Sequence, residues 1–294
     1  MAQTIQICRP LSRATAILVA AALSMPLLSG CTNSATDPEG KSMPAAMEAA
    51  PRPSPLGHYL SARLARDEND AVRAANFYDV ALAANPDNQE LLQRTMVMML
   101  AEGRVQRAIA LAKRQITIQN DAAMARLIIA THAIRSGDLS AARMHLQNSS
   151  RADYMSLLQP ILLAWVDAGD NQFDSAKKTL DQLRSRAYFA PFRTYHTALI
   201  SDFAGYDAAA AAAFEETLKS DAGRVTRVTL HYGGFLSRNG RSAEALTLFK
   251  DFLERIPGDP VISRARNKLR QGEVLLPPIT SVAEGVAEAF LSAG

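Results

Sequence analysis

Five histidines and two cysteines are the residues of this 294-residue chain best suited to metal or nucleophilic chemistry. The histidines are His58, His132, His145, His196 and His231. None pairs at the spacing that sets two imidazoles on one helical face for zinc. Each therefore reads as a surface group or as a satisfied core group. Carboxylates are scattered, and Asp67-Glu68 and Glu215-Glu216 read as solvated turns or faces. No glycine loop suited to phosphate is present, and no serine stands in a nucleophile-elbow context. The expectation is a chain with no catalytic residue, no metal site and no small-molecule substrate or cofactor.

The two cysteines belong to a different chemistry. Arg9 and Arg13 form a positive start without an acidic residue, Ala14 to Leu28 is nearly all apolar, and Leu28-Ser29-Gly30-Cys31 follows. A charged region, an apolar run and a small-residue cleavage site make a secretory signal over residues 1–30. The run is shorter than the roughly 20 residues a spanning helix needs, and Pro26 interrupts it. Leu-Ser-Gly-Cys resembles the bacterial lipobox. That resemblance implies cleavage before Cys31, a thioether-linked diacylglycerol on its sulfur and an acyl chain such as palmitate on the new amino terminus. The bland alternative is an ordinary signal with a chance cysteine. Several acyl chains hold a protein on a membrane stably where one does so only marginally. Thr32 follows the cysteine in place of the aspartate of the familiar inner-membrane retention pattern, which favours the periplasmic face of the outer membrane. Cys8 leaves with the signal, so no disulfide and no cysteine metal site forms within one mature chain. Residues 31–54, rich in Ala, Pro, Ser and Met, read as a flexible tether.

Charge narrows the partners. Removing Arg9 and Arg13 from the 32 basic residues leaves 30 against 29 acidic ones, a net +1. A nucleic-acid partner would favour a basic stripe, and none is expected. Almost half of the chain is hydrophobic, at 48%, while aromatic residues make up 6%. The bulk of the core must come from alanine and leucine, the first of which is the best helix former. The composition points to close-packed helices.

A fixed period organises those helices. Ala74, Ala108, Ala142, Ala176, Ala210 and Ala245 are spaced by 34, 34, 34, 34 and 35 residues. Ala62, Met96, Ala130, Ala164, Ala198 and Gly233 repeat the same spacings of 34, 34, 34, 34 and 35. Turn residues fall between the two ladders at Asn69-Asp70, Gly103, Gly137-Asp138, Gly205 and Gly240; in the fourth unit Gly169-Asp170 comes two residues early, and a longer turn running to Asn171 or beyond is expected. Large residues stand one helical turn after the Ala74-type ladder, at Tyr78, Leu146, Leu180, Phe214 and Phe249, with Ala112 departing. Small residues at two facing positions let paired helices approach closely, and the large residue fills the gap to the next unit.

This pattern resembles the tetratricopeptide repeat, whose period is about 34 residues with two antiparallel helices per unit. The resemblance covers residues 55–257 as six units and implies an all-α, right-handed superhelical solenoid. Residues 258–271 read as a capping helix with a polar outer face, which a solenoid needs at its end. Residues 272–294 read as a proline-containing tail with a terminal helix or the opening of a further repeat. In the family the first helix of each pair lines a concave groove. The positions three before and one after the Ala62-type ladder should face it: Tyr59, Arg63, Gln93, Val97, Leu127, Thr131, Ile161, Trp165, Tyr195, Leu199, Leu230 and Gly234. Trp165, the one tryptophan, reads either as a groove hot spot or as core of an irregular fourth unit.

The lysine and asparagine set with which chaperone-binding members clamp a carboxylate is missing, so an amphipathic helix or extended apolar segment suits the groove better. The tail itself supplies Val274-Leu275-Leu276-Pro277-Pro278-Ile279, which could fold back onto the repeats or pack on their convex or end surface. The expected function is a membrane-anchored scaffold for other envelope proteins, resembling the repeat lipoproteins that support pilus secretins or outer-membrane protein insertion. The alternative is an adaptor for cell-wall hydrolases or proteases, with an enzyme third.

Overall fold

Helix starts are set locally by capping side chains. Ser54 Oγ accepts from Gly57 N at 3.0 Å, Asp70 from Arg73 N at 2.9 Å, Asn88 from Leu91 N at 3.0 Å and Asp138 from Ala141 N at 2.9 Å. Each satisfies an amide that the helix itself leaves without a partner. The computed structural model describes residues 54–151, 154–220 and 223–293, all within the unit Arg52–Gly294. The signal, Cys31 and nearly all of the tether lie outside the described residues.

The described residues form helices and no strand. In order they are α1 (Pro55–Asp67), α2 (Ala71–Ala84), α3 (Gln89–Ala101), α4 (Val105–Ile118), α5 (Ala123–Arg135), α6 (Leu139–Gln147), α7 (Met155–Gly169), α8 (Phe173–Asp181), α9 (Ala190–Phe203), α10 (Asp207–Thr217), α11 (Thr226–Arg238), α12 (Ser242–Arg255), α13 (Pro260–Arg270) and α14 (Val282–Ala293). From α1 to α12 consecutive helices pack in pairs, and each pair packs on the next, so the fold is an all-α solenoid of antiparallel helix pairs.

Both small-residue ladders lie at the helix contacts. Ala74, Ala108, Ala142, Ala176, Ala210 and Ala245 are all fully buried, as are Ala62, Ala130, Ala164 and Ala198. In the sixth unit Gly233 leaves no room for a side chain, since a Cβ there would stand 2.2 Å from the Phe249 ring, whereas in the second unit Met96 is buried at the same place. The turns repeat with the same register. Left-handed φ values occur at Asn69, Gly103, Gly137, Asn171, Gly205 and Gly240. The fourth unit thus keeps the period. Its α7 runs on through Gly169, and Asn171, at φ 58°, takes the turn. Asparagine tolerates this conformation better than most residues, which is how the unit turns without glycine at that place.

After α12 the chain departs from the pair pattern. Pro260 opens α13, and Asp259 caps it through Val261 N and Ile262 N, both at 2.9 Å. The following stretch is non-helical and lies against α11: Leu275 N donates to Ser237 Oγ at 3.2 Å, and Arg238 donates to the Leu275 carbonyl at 3.4 Å. Then Ser281 and Glu284 cap each other. Glu284 N donates to Ser281 Oγ at 3.2 Å, and Ser281 N donates to Glu284 Oε2 at 3.1 Å. This reciprocal pair is a capping box, and it starts α14. That helix packs on α7 first, and on α5 and α9.

Candidate partner-binding groove

Because α5, α7 and α9 are the first helices of successive pairs, the surface they share with α14 is the repeat groove. Its centre is Trp165 on α7. The indole is fully buried, meets Phe203 edge-on at 5.8 Å, and donates from Nε1 to His196 Nδ1 at 3.1 Å. The other face of the ring is closed by α14: a Cβ built on Gly285 would stand 2.3 Å from indole carbons. One turn earlier, Val282 abuts Gly169 at the end of α7. Contacts 282 to 169 and 285 to 165 run in opposite directions, so α14 lies antiparallel to α7. Trp165 is both groove and core, because the groove at this point is occupied by the chain itself.

A polar chain crosses from groove to helix. His196 is fully buried, which disfavours its charged form and pushes its pKa down to about 3. Its Nδ1 accepts from Trp165, so Nε2 carries the proton and faces Ser292 Oγ at 3.2 Å. Ser292 donates in turn to the Ala289 carbonyl at 3.1 Å.

A second polar group surrounds Glu288. Its side chain is 5% exposed. Tyr195 Oη donates to its Oε1 at 2.9 Å, and Arg227 reaches its Oε2 at 3.1 Å. His231 Nδ1 stands 2.6 Å from the same Tyr195 oxygen. With the tyrosine proton given to the carboxylate, Nδ1–H of His231 donates to Oη. Burial raises the Glu288 pKa, with Tyr195 and Arg227 opposing, and burial also raises that of Tyr195. Burial, with Arg227 and Arg238 nearby, pushes His231 down to about 4. Arginine and tyrosine thus provide a made-to-measure seat for one carboxylate on a docked helix.

The positions named from the sequence divide into four groups. Ile161, Trp165, Tyr195 and Leu199 are buried in the middle of the groove. Leu127 and Thr131 line a cavity of about 500 Å³ beyond the end of α14, together with Met124, Ile128, Leu158 and Phe290. Leu230 and Gly234 border a cavity of about 600 Å³ between α11, α13 and the tail. Towards the start of the solenoid the surface opens. Arg63 is exposed beside the Tyr59 ring, and Gln93 and Val97 line a cleft of about 330 Å³ with Arg66, Glu90 and Arg94.

The sequence reading did not single out Arg227, Gly285 or Glu288. The signal available was Ser281-Val282-Ala283-Glu284, a capping-box pattern before an apolar run. It places a helix start at Val282 and puts Gly285, Glu288, Ala289 and Ser292 on one face by their spacings of three and four.

No family model matches the sequence, and no curated protein matches it. Solved structures do match. PilW, a widely conserved type IV pilus biogenesis factor, is 14% identical with a TM-score of 0.56, over 71% of this chain and 97% of that one. A tetratricopeptide repeat protein from Parabacteroides merdae is 13% identical with a TM-score of 0.60, over 81% of this chain and 91% of that one. The C-terminal part of a repeat-containing protein from Cytophaga hutchinsonii is 11% identical with a TM-score of 0.52, over 73% and 88%. The chain has the tetratricopeptide repeat fold.

Proposed function

We propose that this protein is an envelope scaffold, held on the periplasmic face of the outer membrane by lipid on Cys31, that binds other proteins through its groove and supports assembly of an envelope machine. The observation that carries the reading is the groove itself. Its apolar middle accepts an amphipathic helix, as α14 demonstrates, with buried tryptophan and tyrosine at the centre. Helix-in-groove docking with aromatic anchors is a recurring mode of protein recognition. The lipobox-like Leu28-Ser29-Gly30-Cys31 supports the anchor. The fold shared with PilW over nearly all of that protein makes pilus assembly the first machine to test.

The test is site-specific photo-crosslinking in intact cells from Gln93, in the open cleft near the start of the solenoid, and Thr131, in the cavity adjoining α14, followed by identification of the captured proteins. Pilus or secretin components, or outer-membrane insertion components, support the reading. Capture of wall amidases, endopeptidases or proteases instead would replace it with an adaptor role.

A further inference from the structure

The seating of α14 has three features that a permanent core helix would not need. The first is the buried carboxylate of Glu288, which is held by Tyr195 and by Arg227, a residue whose own side chain is 44% exposed. A buried ion pair contributes little to stability against an apolar replacement, and its best-attested use is to specify which surface docks where. The second is incomplete coverage. The groove continues past Phe290 and Ala293 into the cavity of about 500 Å³, walled by Met124, Leu127, Ile128 and Leu158. The third is the connection. Residues 273–281 form no helix, and Leu276 within them is 87% exposed. Such a strap can let α14 leave without disturbing α13.

We propose that α14 is a built-in stand-in for the protein's ligand, an amphipathic helix of a partner protein that displaces it. The pattern read from α14 specifies that helix. It carries a glycine against Trp165, a glutamate three residues on for Tyr195 and Arg227, a small residue directly after, and a hydrogen-bonding residue at the Ser292 position for His196. Apolar side chains along it reach into the cavity that adjoins Phe290 and Ala293. Only a small residue fits over the indole, and only a carboxylate satisfies tyrosine and arginine together. This inference rests on the scaffold reading and adds the chemistry of the partner.

The experiment uses the full chain with a protease site inserted at Leu276. Cutting it keeps every residue but removes the tether, which otherwise holds α14 at an effective concentration on the order of millimolar. The probes are fluorescein-labelled peptides: residues 280–293, the same peptide with Glu288→Gln, and the same peptide with one further leucine-containing turn. Cutting should strengthen binding of the first peptide about 100-fold, by loss of the tethered competitor. The Glu288→Gln peptide should bind at least about tenfold more weakly, as expected for losing a hydrogen-bonded charge. The extended peptide should bind about tenfold more tightly, from apolar area newly buried. A full-length Gly285→Leu chain, uncut, provides an independent route: it should bind the first peptide like the cut chain and expose Trp165 to acrylamide.

The proposal is overturned if α14 neither exchanges in the cut chain nor loosens in Gly285→Leu, which would make it a fixed part of the core. Equal binding of the Glu288→Gln peptide overturns the recognition pattern. Exchange of α14 between two copies into a dimer that excludes the peptides assigns the groove to a second copy instead. Unchanged cellular crosslinks in Gly285→Leu would leave the scaffold standing and remove this inference alone.

Discussion

His196 and His231 are held neutral by burial, with pKa values pushed down to about 3 and about 4. In the unfolded chain each returns to the ordinary value near 6.5. Above that value neither costs anything. As the pH falls below it, the unfolded chain takes up protons that the folded chain does not, so stability is lost until the folded pKa is reached. At about pH 5 the loss is on the order of 2 kcal/mol for each histidine. Glu288 acts with the opposite sign, because its raised pKa means that protonation on acidification relieves a cost. Urea unfolding at about pH 7.5 and about pH 5 should therefore show a clear fall in midpoint. His196→Gln should shrink that fall by roughly half, since two histidines share it; an undiminished fall would assign it elsewhere. The sequence showed the histidines to be unsuited to a zinc pair, but burial beneath a helix about 90 residues away in the chain is a tertiary fact without a local signature. Trp165 illustrates the same limit. Its place on the groove and its reading as core both followed from the repeat register, but the closure of one ring face by Gly285 of α14 had no local signal.

At the scale of elements the register was legible almost residue by residue. Two ladders of small residues fixed which faces of the helices meet, because alanine at a close contact leaves room for nothing larger. Ala142 and Ala210 are fully buried at those contacts. Ala142→Leu or Ala210→Leu should each destabilise the fold by about 1–3 kcal/mol through overpacking, while Ala46→Leu, in the tether, should leave thermal unfolding unchanged. Equal shifts for all three in a melting experiment would contradict the register. The fourth turn was expected to run on from Gly169 to Asn171 or beyond, and Asn171 takes it by tolerating φ 58°. The start of α14 was legible in Ser281 and Glu284 as a capping pattern; fold-back onto the repeats was expected of Val274 to Ile279, whereas α14 is the part of the tail that covers the groove over Trp165. Three units of solenoid must first be in place to create the surface it covers.

The whole molecule joins an expected anchor to a folded solenoid. Cys31→Ala should abolish incorporation of labelled fatty acid and release the protein from the membrane fraction on cell breakage. Persistent labelling in that variant would sink the lipobox reading. Composition and period pointed to the fold class, since two ladders in a common register of about 34 residues match stacked pairs of antiparallel helices. The buried hydrophobic residues form two clusters, one from Ala62 to Ile129 and the other from Leu127 to Ala289. Repeat arrays ordinarily couple only neighbouring units.

That division has a consequence for how the molecule comes apart. By touching α5, α7 and α9 at once, α14 acts as a rivet across three consecutive units and makes them a single cooperative block, while α1 to α4 keep only nearest-neighbour support. Native-state hydrogen exchange should find amides of α7 and α9 opening together and last, and those of α1 and α2 opening earlier and independently. A partner helix that replaced α14 and reached further along the groove would move the boundary of that block towards α3. The solenoid would then report occupancy of its groove as a change in its own stiffness, felt at the end of the array nearest the tether.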